Sequence, residues 1–326
     1  MIHMRGVSDP CGDSPRAFYT DVLQKRRPYR GIGRTLCRPR RRKGKTHRMR
    51  PFPKQSNARG GVTVTSFMET LRILCLGDVV GQGGVLYLEQ NLRRKRDELG
   101  ADMVVVNGEN AAIGNGLDAQ SARRLFDAGA DVLTSGNHIW QKREIRTVLE
   151  EDPRVLRPAN YPASCPGAGY HILCINGYRI LVMNVMGTVF LDALFDPFVT
   201  VERILDRCEG QFDFAILDIH AEATSEKIAL ARFFDGRVSV IFGTHTHVQT
   251  ADACILPRGS AYMTDLGMTG PVDSILGVKV DCILEKFRTH MPVRFETADG
   301  AVRSTGFLAE FSADTGKALS VRLISF

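Results

Sequence analysis

The sequence predicts an α/β sandwich, two central sheets flanked by helices, on three observations. From Leu71 onward, short apolar runs alternate with segments of helical periodicity, the pattern of strands covered on both faces. Asn176-Gly177 lies between two apolar runs and marks a β-hairpin, at which a second sheet begins. Strand-like runs at both ends of this core then give two sheets with helices outside them, in one domain.

In chain order, the first strand is Leu71-Arg72-Ile73-Leu74-Cys75-Leu76, and it ends at Gly77-Asp78. After Gly81-Gln82-Gly83-Gly84, a helix carries Val85, Leu88, Leu92 and Leu99 at helical spacing. These glycines imitate a dinucleotide fingerprint, but Asp78 puts a carboxylate where a pyrophosphate needs bare amides, so that reading is rejected. A second strand over 102–106 runs into Asn107-Gly108-Glu109-Asn110-Ala111-Ala112 and a Gly-rich loop, with Asp118 placed to cap a helix through Ala128. The strand at 131–134 ends in Ser135-Gly136-Asn137-His138, and a helix from Arg143 to Glu150 stops at Asp152-Pro153. Residues 157–162 read as a rigid polar loop. Beyond the hairpin come a helix over 198–208, a strand over 212–218 that delivers His220, a helix over 225–234, and the run 238–242. A strand at 261–264, a loop from 265 to 274, a short helix near 280–287, and strands around 302–311 and 318–324 complete the chain.

The net charge of +7 hides a split. Residues 1–67 hold 17 Lys and Arg against 3 Asp, a formal +14, which leaves −7 for residues 68–326. The first 67 residues also carry six prolines and no sustained apolar period, so a disordered basic extension is expected there. Three readings of it stand open: a mis-called start ahead of Met68, a basic arm that contacts RNA, and a targeting segment. No apolar run approaches the ~20 residues of a membrane span, and the eight cysteines form no Cys-x-x-Cys pair, so a soluble protein of the reducing cytoplasm is expected.

The candidate chemistry lies at strand ends. Gly243-Thr244-His245-Thr246-His247 follows an apolar run, and two histidines two residues apart at the end of a strand project to the same side, where both rings can reach a metal. Other apolar runs end at Asp78, at Glu109 with Asn110, at Asn137 with His138, and at His220. Taken singly, Asp78 could cap a helix, Asn137 could serve a turn, and His220 could be a structural histidine. Together, eight such groups at the strand ends of an α/β sheet suit two metal ions, with Glu109 as the natural bridge. The mixed nitrogen and oxygen set without thiolate favours iron, divalent or mixed-valence, with manganese or zinc as alternatives. Glu222 and Glu226 read as a solvated helix start, Trp140 as packing, and His171 and His290 as structural or solvated.

These motifs resemble the calcineurin-like metallophosphoesterases, and among them the YmdB-like enzymes, which are 2′,3′-cyclic-nucleotide phosphodiesterases. The resemblance runs from Met68 to Phe326 through Gly77-Asp78-Val79-Val80-Gly81, Asn107-Gly108-Glu109-Asn110, Gly136-Asn137-His138, the segment from His220 to Lys227, and the segment from Gly243 to Thr250. Val80 and Glu109 depart from the wider superfamily, where the opening is Asp-x-His and the bridging acid is Asp, and both departures match the YmdB-like branch. The resemblance implies one metal on Asp78, Glu109, Asn110 and His247 and a second on Glu109, Asn137, His220 and His245. His138 is left free to act as general acid while a metal-bound hydroxide attacks phosphorus. It implies a small cyclic nucleotide as substrate, with residues 157–161 and 267–271 as candidate pocket walls. A broader phosphomonoesterase or nuclease, or a non-catalytic metal-binding regulator of RNA turnover, are the alternatives. Formation of a homo-oligomer is left open.

Overall fold

A computed structural model describes residues 70–326, so the expectations for the basic extension lie outside the described residues. Thirteen strands and six helices follow one another within that span. They are β1 (Thr70–Leu76), β2 (Asp78–Val79), α1 (Gly81–Leu99), β3 (Met103–Asn107), α2 (Ala119–Ala128), β4 (Val132–Thr134), α3 (Ile145–Glu151), β5 (Tyr170–Ile175), β6 (Tyr178–Met186) and α4 (Pro197–Arg207). After these come β7 (Phe214–His220), α5 (Thr224–Phe234), β8 (Val240–Thr244), β9 (Cys254–Ile255), β10 (Ala261–Met263), β11 (Met268–Pro271), α6 (Val280–Thr289), β12 (Val302–Ser312) and β13 (Ala318–Ser325).

The strands form two sheets, in the orders β2-β11-β12-β1-β3-β4, with β13 also on β12, and β5-β6-β7-β8-β10-β9. Strands β1, β3 and β4 are parallel to one another, as are β6, β7, β8 and β10, so each sheet gathers several carboxyl ends at one edge. The period of two along each strand divides the core into three layers. Ile73 and Cys75 of β1 meet Val182, Ile216 and Phe242 between the sheets, whereas Leu74 and Leu76 pack outward with Leu88 and Leu92 of α1. Leu181 and Leu217 cover the far side of the second sheet with Val201 of α4 and Leu230 of α5. Strands such as β3 and β7 are therefore buried on both faces, which is why they read as continuous apolar runs.

The expected sandwich, the hairpin at Asn176-Gly177 and the cap at Asp118 are all present, the last accepting from Ser121 N at 2.7 Å. Three details differ. Helix α1 begins at Gly81, so the glycine run forms its first turn. A side chain on Gly84 would overlap Thr269 O, so its bareness lets α1 lie directly on β11. Met268–Pro271, expected as loop, is β11, which bridges β2 and β12, and Cys254–Ile255 adds a short edge strand. Among the described residues, no helix is long and apolar enough to cross a membrane.

Candidate metal centre

The carboxyl ends of five parallel strands bring the predicted residues together. Asp78 follows β1, Glu109 and Asn110 follow β3, Asn137 and His138 follow β4, His220 closes β7, and His245 and His247 follow β8. Glu109 lies at the middle and is buried. Its Oε2 is 3.1 Å from His220 Nε2, and that nitrogen is also 3.1 Å from Asn137 Oδ1 and 3.1 Å from His245 Nδ1. Its Oε1 faces the other group, 3.4 Å from the Asn110 amide nitrogen, which is 3.3 Å from His247 Nε2. His247 Nε2 stands 3.7 Å from Asp78 Oδ1. A half-turn of the Asn110 amide presents its oxygen to the same point.

The two histidines after β8 converge by a route that differs from the expected one. Strand β8 ends at Thr244, and both rings sit on loop backbone with positive φ, 101° at His245 and 63° at His247. Such backbone costs about 1–3 kcal/mol per residue and persists where neighbours hold it. Here His245 N donates to Asp78 Oδ2 at 3.1 Å, and Thr246 N donates to Asp265 Oδ2 at 3.1 Å.

Each imidazole is oriented from behind. His220 Nδ1 donates to Thr244 Oγ1 at 2.9 Å, and that hydroxyl donates to Asp218 Oδ1 at 2.8 Å. His247 Nδ1 donates to Leu276 O at 2.9 Å, and His245 Nε2 lies 3.1 Å from Glu222 Oε2. All three rings thus have the outer nitrogen on an oxygen acceptor and the inner nitrogen turned to the centre, the arrangement that presents a lone pair to a metal. Glu222 is exposed, as read from the sequence, and in addition orients His245. Glu226 departs from the solvated reading: it is buried and accepts from Thr188 N at 2.9 Å and Val189 N at 3.3 Å.

Electrostatics say the same. Burial would lower the His220 imidazole, but Glu109, Asp78 and Asp218 outweigh it and push it up to about 9. Burial also raises Asp78, whose Oδ1 is buried without a hydrogen-bond partner among the described residues. His245 is pushed down to about 3, by burial first and by His220 next, so its ring is neutral. Burial opposes the charge on Glu109, yet His220 and His138 hold it ionised far below the usual carboxylate range. A pocket with two buried carboxylates, one orphaned oxygen and a buried histidine that those carboxylates push toward its charged form fits a divalent metal, whose binding would compete with the proton. Gly136 leaves the space: a methyl there would overlap the Glu109 carboxylate and the His220 ring. Among the described residues, Glu109, His220 and His245 bring one ligand atom each within 4.8 Å of one another.

His138 faces the centre with one edge only. Its Nδ1 is 2.8 Å from Glu109 Oε1 and 2.9 Å from Asn110 Oδ1, and the ring is partly exposed. Trp140, two residues on, packs edge-on against Tyr161 at 5.4 Å, in agreement with its expected packing role.

Sequence reasoning missed the layer beneath. Asp218 is fully buried and accepts from Asn107 Nδ2 at 3.0 Å and Thr134 Oγ1 at 2.5 Å, as well as from Thr244. It therefore ties β3 and β4 of one sheet to β7 and β8 of the other under the centre. Burial raises its carboxyl to about 6 against the pull of His220 and these hydrogen bonds. One signal was available: Asp218 and His220 sit two apart on an otherwise apolar strand and so share a face.

Residues 74–324 match the profile of a family described as YmdB-like protein. The chain is 42% identical over 254 residues to a 2′,3′-cyclic-nucleotide 2′-phosphodiesterase of Bacillus subtilis, a match that covers 78% of this chain and 96% of that protein. The crystal structure of a hypothetical protein from Thermus thermophilus superposes with a TM-score of 0.74 at 42% identity, over 78% of this chain and 99% of the other. That of a novel phosphatase from Mycoplasma pneumoniae gives 0.75 at 34% identity, over 80% and 94%.

Proposed function

The chain belongs to the YmdB-like family of metallophosphoesterases, and from that premise we propose that it is a two-metal phosphodiesterase that hydrolyses 2′,3′-cyclic nucleotides. The observation that carries this reading is Glu109, whose two oxygens face two separate groups of ligand-type atoms. Asp78, Glu109, Asn110 and His247 would hold one ion, and Glu109, Asn137, His220 and His245 the other. Bound there, the ions would supply Lewis acidity toward phosphoryl oxygens and acidify a water. The oxygen and imidazole donors favour iron, with manganese or zinc as alternatives.

The residues of the chain do the rest. Glu109 and Asn110 hold His138 by Nδ1, which leaves Nε2 on the partly exposed edge of the ring to hand a proton to the departing ribose oxygen. Asp218 and Thr244 fix the His220 ring, and Asp78 and Asp265 fix the loop that carries His245 and His247. A cytoplasmic setting accords with the thiol form of Cys75, Cys165, Cys208, Cys254 and Cys282.

The test is a substrate panel with the metal-loaded protein: a 2′,3′-cyclic nucleotide, a nucleoside monophosphate, single-stranded RNA and bis(p-nitrophenyl) phosphate. The cyclic nucleotide should be opened to a monophosphate that is not consumed further, and chelation should abolish turnover. Faster loss of the monophosphate or of RNA would replace this reading with a phosphatase or a nuclease.

A further inference from the structure

Beside the centre lies a cavity of about 360 Å³, and His247 forms part of its wall. Val248, Met268, Val272, Leu276 and Arg303 form half of the remainder. Three of the cavity's polar side chains are committed to the backbone, and Ser325 contributes only a short exposed hydroxyl. Gln249 Nε2 donates to Gly306 O at 2.8 Å and Ile324 O at 3.2 Å, Thr305 Oγ1 to Met268 O at 3.0 Å, and Ser274 Oγ to Pro271 O at 2.7 Å. Arg303 differs: it is exposed, and its side chain makes no hydrogen bond or ion pair among the described residues, its backbone alone being paired in β12. In the same lining, Val248, Val272 and Leu276 are 58%, 49% and 47% exposed, so apolar surface and a guanidinium stand uncovered in one cleft.

We propose that this cavity is the nucleobase subsite, an inference that rests on the phosphodiesterase reading above. The base lies between the aliphatic wall and the plane of the Arg303 guanidinium, while the phosphoryl group occupies the centre on the other side of His247. An aliphatic surface and a guanidinium plane both accept the flat face of a base, and neither demands a particular hydrogen-bonding edge. The volume sits at the lower end of the roughly 300–1,000 Å³ of small-ligand pockets, enough for one nucleoside and too little for a strand. Of the two walls expected from the sequence, Met268 and Gly270 of 267–271 line this cavity, and none of 157–161 does.

The experiment is titration calorimetry of the metal-loaded full chain with adenosine 3′-monophosphate and, separately, with inorganic phosphate. Arg303→Ala should weaken the nucleotide about 10-fold and leave phosphate unchanged, in line with a cation stacked on an aromatic face. Arg303→Lys, which keeps the charge and loses the plane, should weaken it similarly. An unchanged nucleotide affinity, an equal loss for phosphate, or full rescue by lysine would overturn the subsite. So would a wild-type protein that binds the nucleotide no better than phosphate, even if it opens cyclic nucleotides. Arg303-dependent nucleotide binding without turnover of any cyclic nucleotide would instead uphold the subsite and sink the phosphodiesterase reading.

Discussion

His138 and His220 are both imidazoles near Glu109, yet their surroundings assign them different work. His220 is fully buried, with one nitrogen on Thr244 and the other among ligand-type atoms. The His138 ring meets Glu109 and Asn110 through Nδ1, its backbone N lies 3.5 Å from Glu109 Oε2, and the ring keeps a partly exposed edge. His138→Ala should therefore retain both metals and lose about 10²–10⁴-fold in turnover of a cyclic nucleotide, the usual worth of a general acid. A nitrophenyl diester, whose leaving group departs as a stable anion, should suffer much less. Loss of a metal, or equal slowing of both substrates, would make His138 a ligand or an electrostatic clamp. At this scale the sequence was informative, because ligand-type residues at strand ends stand out against the apolar runs that precede them. Glu222 was not legible: its bond to His245 crosses from one loop to another, and spacing carries no trace of it.

Helix α5 and the loops around it hold the histidine-bearing segment in place. Lys227 of α5 is 1% exposed and its Nζ is 2.7 Å from Asp265 Oδ2, an oxygen that also accepts from Thr246 N between the two histidines. The other Asp265 oxygen accepts from Gly267 N at 2.9 Å. Removing one partner of a buried pair leaves the other charged and uncompensated, at a cost of about 3–5 kcal/mol. Lys227→Met should lower the denaturant midpoint by that much stability and loosen metal binding. Unchanged metal affinity in a folded Lys227→Met variant would show that this pair supports the fold and not the centre. Strands buried on both faces were legible as apolar runs, as β3 and β7 show. Strand β11 was not, because Met268-Thr269-Gly270-Pro271 has little strand propensity and owes its place to β2 and β12 on either side.

At the scale of the whole molecule, the two sheets matter because their carboxyl ends meet, and Asp218 stitches that meeting point from both sides. Every residue placed at the centre lies at or beyond Asp78, and the family match spans 74–324. Removal of residues 1–67 should therefore leave metal content and turnover of a small substrate unchanged, as metal analysis and kinetics on the truncated chain would check. Loss of salt-sensitive RNA binding on truncation would assign the basic extension a partner. The order of elements and the sandwich were legible from alternating periodicity. The contact of the two sheets beneath the site was not, since Asn107, Thr134, Asp218 and Thr244 come from four separate strands and only folding brings them together. The central claim is that one carboxylate joins two metal positions, and the most direct measurement is metal per chain in the wild-type protein and in Glu109→Gln. Two ions in the former and a loss at both positions in the latter are predicted; two ions retained by Glu109→Gln would contradict the claim and place the bridge elsewhere.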